Sequence, residues 1–398
     1  MGVIYLDHAA TANPKAPGVG PAMLRSLGDC NGNPGHGAHR LSVAATLAVY
    51  EARATLAELL GVRDPGRLAF TAGATAALNQ AIRGSLPEHG GHAICSVWEH
   101  NAVLRPLLEW RRRSGGTITF LPPGPDGAPF RPADLERAIQ ADTALIALSA
   151  ASNVTGAIAP VAEAGEIARA RGVRLLVDGS QAAGHLPVAL DRLPVDLWAC
   201  PGHKGLLGPQ GVGLLYLREG LELPPLVVGG GGFDSAREDP PDEAPERYEA
   251  GTQNTPGILG LGAAAAHLLR QDPHAARARE VRHLDALQRG LGRIAGVRLH
   301  GAADPRRCVG VLSFAVAGWA PGAVAETLDR RFGICVRAGL HCAPMAHEAL
   351  GTLPAGTVRA SVGPWTTDDD LAALPEAVAW IAARAPEIAA PAEAARGA

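Results

Sequence analysis

Short apolar runs recur between Arg67 and Leu217, each followed by a stretch in which apolar residues return at helical spacing. The runs at 68–71, 93–97, 117–121, 144–150, 174–178, 196–200 and 213–217 predict seven strands, and 74–83, 103–113, 132–139 and 161–171 predict helices between them. Strands that are apolar at nearly every position are covered on both faces, so this alternation predicts a largely parallel sheet between helices. Residues 229–245, with four consecutive glycines, an acidic cluster and three prolines, break the pattern and predict an irregular excursion. Helical spacing resumes over 258–270 and 275–294. Shorter mixed elements then follow at 309–316, 323–332, 334–337, 357–362 and 369–384. The fold class expected is α/β: a large domain over 15–260 with a mostly parallel seven-stranded sheet, and a smaller α+β C-terminal domain formed by 1–14 and 261–398. The Ala- and Pro-rich tail after Ala385 is expected to fray.

A chain of 398 residues suits two domains, and a formal net charge of −3 provides no basic footprint for nucleic acid. No apolar run reaches membrane length and no basic-then-apolar leader precedes Tyr5, so no membrane partner and a cytoplasmic location are expected. Six cysteines without a C-x-x-C pair do not make a disulfide framework or a recognised metal spacing. Cys95, Cys200 and Cys335 sit within apolar stretches and are expected to be buried small hydrophobes, whereas Cys342 lies in a Gly- and Pro-rich segment.

All but two of the 36 basic Lys and Arg residues are arginine. The exceptions are Lys15 and Lys204, the latter within Cys200-Pro201-Gly202-His203-Lys204-Gly205. Arginine cannot replace lysine where a neutral amine must condense with an aldehyde. Upstream, an apolar run ends in Asp178, delivering a carboxylate to the C-terminal end of a strand, where open α/β sheets bind ligands. A carboxylate at one strand end and a lysine after the next is what pyridoxal 5'-phosphate needs: an amine to hold its aldehyde and an acid to keep its ring nitrogen protonated. The turn Gly73-Ala74-Thr75 opens a helix and offers a phosphate cradle. His100 and Asn153 each follow a strand. Taken singly, each of these residues serves equally well as a helix cap or turn residue.

In this order the motifs resemble the class V aminotransferase family of fold-type I pyridoxal phosphate enzymes, and within it the cysteine desulfurase and selenocysteine lyase branch. The resemblance is also carried by Tyr5-Leu6-Asp7-His8-Ala9-Ala10-Thr11, by 33–40, by 249–255 and by Arg337-Ala338-Gly339-Leu340-His341-Cys342-Ala343-Pro344. It implies a homodimer acting on L-cysteine or L-selenocysteine, with a sulfur-acceptor protein as a further partner. Lys204 would form the Schiff base, Asp178 would meet the pyridine nitrogen, and His100 would stack on the ring. Asn153 and Gln181 would address the phenolic oxygen, and Thr75, the Ala74 amide and His203 would hold the phosphate. Thr252 would reach that phosphate from the neighbouring subunit. Arg359 would fork onto the substrate carboxylate, His36 and Arg40 would stand at the substrate entrance, and Cys342 would accept sulfur as a persulfide, its thiolate helped by an adjacent imidazole or by Arg337. Many relatives carry serine where Pro201 stands, so the resemblance does not carry over that serine's phosphate contact, although branches that resemble this chain closely share its Pro-Gly-His-Lys. The alternatives are another reaction on the same scaffold that needs no Cys342 (a selenocysteine lyase, C–S lyase, aminotransferase or epimerase) and a sulfur-carrier scaffold with a vestigial site.

Overall fold

A computed structural model of the chain describes residues 2–35, 37–231 and 237–384, so His36, part of the glycine-rich excursion and the tail from Ala385 onward lie outside the described residues. In chain order the first elements are β1 (Ile4–Tyr5), α1 (Val19–Gly28), α2 (Arg40–Leu60), β2 (Leu68–Thr71), α3 (Ala74–Ser85), β3 (His92–Ser96), α4 (Asn101–Ser114) and β4 (Thr117–Leu121). They continue with α5 (Pro132–Ala138), β5 (Thr143–Ser149), α6 (Val161–Ala170), β6 (Arg174–Asp178), β7 (Leu197–Pro201) and β8 (Gly213–Leu217). The last third holds α7 (Thr255–Leu269), α8 (Pro273–Gly292), β9 (Val297–His300), β10 (Val311–Val316), α9 (Pro321–Phe332), β11 (Ile334–Cys335), β12 (Arg337–Gly339), α10 (Pro344–Ala349), β13 (Thr357–Ser361) and α11 (Asp368–Ala382).

Seven strands form one sheet in the order β2-β8-β7-β6-β5-β3-β4, parallel throughout except for β8, which runs against both neighbours. Successive residues of each strand enter opposite cores. Trp198 and Cys200 of β7 join Val177, Ile146 and Leu214 under α2, α6 and α7, while Leu197 and Ala199 join Leu176, Ala147 and Leu215 under α3 and α4. Each fully buried Leu, Ile or Val contributes roughly 1.5–3 kcal/mol, which keeps the strand ends in fixed relative positions. A third core belongs to the smaller domain, where the antiparallel sheet β12-β13-β10-β9 packs Phe314, Val358 and Leu312 against α8, α9 and α11.

The segment predicted as one strand over 334–337 divides at Val336: β11 pairs in parallel with β1, and β12 pairs with β13. Helices α1 and α2 were not legible in the apolar pattern. On α2, Leu41, Val43, Leu47 and Tyr50 are exposed while small residues such as Ala45, Ala48 and Ala52 are buried, which inverts the usual amphipathic signal.

The first dozen residues link the two domains. Ser361 N donates to Leu6 O (2.7 Å), Ala9 N to Ser361 Oγ (2.9 Å) and Ala12 N to His203 O (2.8 Å).

Candidate active site

The C-terminal ends of β3, β5, β6 and β7 open on a cavity of about 780 Å³, closed on its far side by Arg337, His341, Cys342 and Arg359 of the smaller domain. Ala74, Thr75, His100, Asn153, Asp178, Gln181, His203 and Lys204 all line it, so that from Ala74 to Arg359 residues spread over 285 positions of sequence are brought to one space. Thr252 and Arg40 do not line it. Thr252 is exposed and lines two neighbouring cavities with Glu249, one of which shares Ala72, Ala76 and Leu226 with the main one, and Arg40 is exposed in the first turn of α2.

Lys204 follows β7 in a tight turn. Its ammonium is pushed down to about 8: burial is the main cause and Arg359 adds to it, while the charges of Asp178 and Cys342 oppose it. A substantial fraction is therefore neutral amine in mildly alkaline solution. Asp178 ends β6, is buried, and accepts from Ser180 N at 2.9 Å. His100 caps α4 by accepting from Ala102 N on Nδ1 (3.0 Å), which leaves the proton of the neutral ring on Nε2. Burial lowers its pKa, with Asp178 opposing and Lys204 reinforcing.

At the other end of the cavity, α3 begins at Gly73, whose φ of 145° suits glycine and whose missing side chain leaves the first turn without a cap. The Ala74 and Thr75 amides thus offer an anion site with a favourable dipole. His203 lines the same cavity, its Nδ1 3.0 Å from Thr11 Oγ1. Burial, Lys204 and Lys15 press its pKa down to about 4.

Asn153 donates to His341 O (2.7 Å), and its carbonyl accepts from Arg359 Nη1 (2.9 Å). Arg359 is 2 % exposed, and its other terminal nitrogen donates to Asp7 Oδ1 (3.2 Å). Asp7 also receives Arg337 through Nε and Nη2 at 3.0–3.3 Å. One carboxylate therefore sets the spacing of two guanidinium groups at the cavity. Arg359 Nε and Gln181 Oε1 remain buried without a partner, while Gln181 Nε2 is held by Ala9 O at 3.0 Å.

Cys342 is exposed, and both it and His341 adopt left-handed backbone (φ 56° and 49°), a conformation that costs non-glycine residues roughly 1–3 kcal/mol and persists only when its surroundings enforce it. Here Asn101 N donates to Cys342 O at 2.7 Å, and His341 Nδ1 meets His347 Nε2 at 3.2 Å. His347 Nδ1 in turn meets Thr352 Oγ1 at 2.8 Å. Burial, reinforced by Arg359 and His347, pushes His341 down to about 3. Of the adjacent imidazole and Arg337 expected to help the Cys342 thiolate, His341 is thus held neutral and turned into the His347 contact, and Arg337 is the cation whose charge Cys342 feels. Cys342 also borders a second, outward-facing groove of about 590 Å³, shared with Thr75, Asn79, His100 and Arg105.

Two residues of the site escaped the sequence reading. Asp7 lies in the opening motif, but only the fold shows that it joins Arg337 to Arg359. Glu99 is a fully enclosed carboxyl between Ser96 Oγ (2.5 Å) and Ser149 Oγ (2.6 Å), and nothing in its sequence neighbourhood signals burial.

Residues 4–374 match the model of the class V aminotransferase family. A protein named "Probable cysteine desulfurase" from Methanothermobacter thermautotrophicus is 34 % identical over 385 residues, covering 95 % of this chain and 94 % of its own. Among solved structures, the apo cysteine desulfurase of Thermococcus onnurineus superposes with a TM-score of 0.90 at 31 % identity, covering 96 % of this chain and 95 % of that one. The cysteine desulfurase CsdA of Escherichia coli, solved as an S-sulfonic acid, gives 0.84 at 32 % identity, with 94 % of both chains covered. The fold and the strand-end cavity are those of a fold-type I pyridoxal phosphate enzyme. The chain belongs to the class V aminotransferase family, in its cysteine desulfurase branch.

Pyridoxal phosphate is the cofactor of that family, and the residues present fit it. The uncapped α3 turn suits a phosphate, the partly neutral Lys204 suits an aldehyde, buried Asp178 suits a protonated ring nitrogen, and the orphaned Gln181 Oε1 is a polar atom in want of a partner.

Proposed function

We propose that this protein removes sulfur from L-cysteine, releasing L-alanine and leaving the sulfur on Cys342 as a persulfide. The observation that carries the reading is the position of Cys342, which borders both the inner cavity of Lys204 and Arg359 and the outer groove. One sulfur atom can thus face a substrate on one side and an acceptor on the other.

In this reading Lys204 Nζ would hold the cofactor aldehyde, the Ala74 and Thr75 amides and His203 would hold its phosphate, and Asp178 would meet its ring nitrogen. His100 would serve the ring, and Asn153 and Gln181 its phenolic oxygen. Bound there, the cofactor supplies an electron sink that acidifies the substrate α-carbon. Arg359 takes the substrate carboxylate, its orientation preset by Asp7 and the Asn153 carbonyl. Lys204 Nζ, released when the substrate amine takes its place, would be a free amine of lowered pKa able to take the α-proton and later return it. Cys342 Sγ attacks the substrate sulfur: the Cβ–S bond breaks, an S–S bond forms, and Cβ gains a proton, so that cysteine plus enzyme thiol becomes alanine plus enzyme persulfide. Exposed apolar residues on α1 and α2 (Leu24, Leu27, Val43, Leu47, Tyr50) support a homodimer in which Thr252, which does not line the cavity of its own subunit, reaches the phosphate of its partner's site.

The test is to supply L-cysteine and a reductant to the cofactor-loaded protein and to quantify alanine and sulfide together, with Cys342→Ala alongside. Equal yields that vanish in the variant are expected. Undiminished alanine in the variant refutes the persulfide, and a spectral change without alanine refutes the substrate.

A further inference from the structure

Lys15 is one of two lysines in a chain otherwise served by arginine, and the mechanism above does not use it. It does not line the cavity. Its Nζ donates to Thr11 Oγ1 at 2.9 Å and to the carbonyl of His203 at 3.1 Å, and the same Thr11 oxygen meets His203 Nδ1 at 3.0 Å. The ammonium is half-buried and makes no ion pair among the described residues. Burial lowers its pKa, which marks a cation held in poor solvation. A positive charge kept in such a place without a carboxylate is stabilised by an anion nearby. The His203 that it contacts lines the same cavity as the anion site of the α3 turn, Ala74 and Thr75.

We propose that Lys15 is a positioning residue for the cofactor phosphate: through Thr11 it fixes the imidazole of His203, and its charge backs the phosphate from behind that ring. The arrangement makes up for Pro201, which offers neither a hydroxyl nor a backbone N–H to the same site. It also accounts for a lysine where arginine is the habit of the chain. A compact ammonium can direct separate donors to a hydroxyl and a carbonyl close together, which the broad planar guanidinium fork does less well. The inference rests on His203 facing the phosphate, as proposed above.

The experiment titrates apo-protein with pyridoxal 5'-phosphate and, separately, with pyridoxal, which lacks the phosphate, and compares the preference for the first over the second. In Lys15→Met this preference is expected to fall about ten-fold while pyridoxal affinity stays within two-fold of the parent. Lys15→Arg should fall in between. Thr11→Val, which removes the hydroxyl joining Lys15 to the imidazole, should lower the preference in the same direction and serves if Lys15→Met does not fold. Equal weakening of both ligands, or of neither, overturns the proposal, because a merely structural lysine would not distinguish them. His203→Ala separates the two layers of the reading. An unchanged preference there overturns the placement of the phosphate beside His203, and the role of Lys15 with it. A lowered preference in His203→Ala but not in Lys15→Met overturns the role of Lys15 alone.

Discussion

Replacing Glu99 with glutamine should flatten part of the pH dependence of folding stability. Burial raises the Glu99 carboxyl from 4.5 to about 7, the nearby charge of Asp178 adds to the rise, and the hydrogen bonds from Ser149 and Ser96 oppose it. The rise is roughly 2.5 on the pH scale, and at about 1.4 kcal/mol per pH unit it corresponds to roughly 3 kcal/mol of linkage. A carboxyl whose pKa is raised on folding stays protonated in the native state while the unfolded chain ionises. Its stabilising contribution is therefore complete below about pH 4.5 and is lost as the pH rises through 7. The amide introduced by Glu99→Gln would mimic the protonated acid at every pH, and the serine hydroxyls can turn to donate or accept. Buried histidines such as His8 and His203, both near 4, shift stability in the opposite sense on the acid side, but they are common to both proteins and cancel in the difference. Urea unfolding of the cofactor-loaded parent and variant at about pH 5.5, 7 and 8.5 measures that difference. The gain of the variant over the parent should grow by about 2 kcal/mol from the lowest to the highest pH. A difference that stays constant with pH would mean that Glu99 ionises normally in the fold and would refute the argument.

Three other perturbations discriminate equally well. Arg53 donates to both oxygens of Glu249 (2.6 and 2.8 Å) with side chains 8 % and 5 % exposed, so Arg53→Met should cost about 3–5 kcal/mol by leaving a buried carboxylate uncompensated. Arg63→Ala, whose side chain is 87 % exposed beside Asp191, should cost less than about 1 kcal/mol in the same urea titration. If Thr252 serves the partner's site, Thr252→Ala should retain cofactor about ten-fold less tightly than the parent. Mixed dimers of Thr252→Ala with Lys204→Ala should then recover one site of parental affinity, whereas a Thr252 acting in its own subunit gives no recovery.

What could be read from the chain depended on how local its physics is. The strands of the large sheet were visible because burial on both faces leaves unbroken apolar runs, and the structure reproduces them with end shifts of one residue. Lys204, Asp178 and His100 were visible because each stands at a strand end, and parallel strands bring their ends together. Helix α2 was not, because its outer face carries Leu47 and Tyr50 while alanines pack inward, a pattern that is informative only once a covering surface is supposed. The Asp7 bridge to Arg359 spans 352 positions and has no local signature. The fate of His341 was likewise hidden: spacing placed an imidazole beside Cys342, but only the fold shows it buried against His347.

The binding of residues 6–12 to Ser361 and His203 has a consequence for how the enzyme is made. At a translation rate of roughly 5–20 residues per second, the segment carrying Asp7 leaves the ribosome about 20–70 s before Arg359 and Ser361 are synthesised. Over that interval the central sheet can assemble, but Asp7 lacks both of its arginines and Ala9 lacks the hydroxyl that receives its amide. The substrate end of the site is thus a late event in the life of the chain, completed only after Arg359 and Ser361 have emerged.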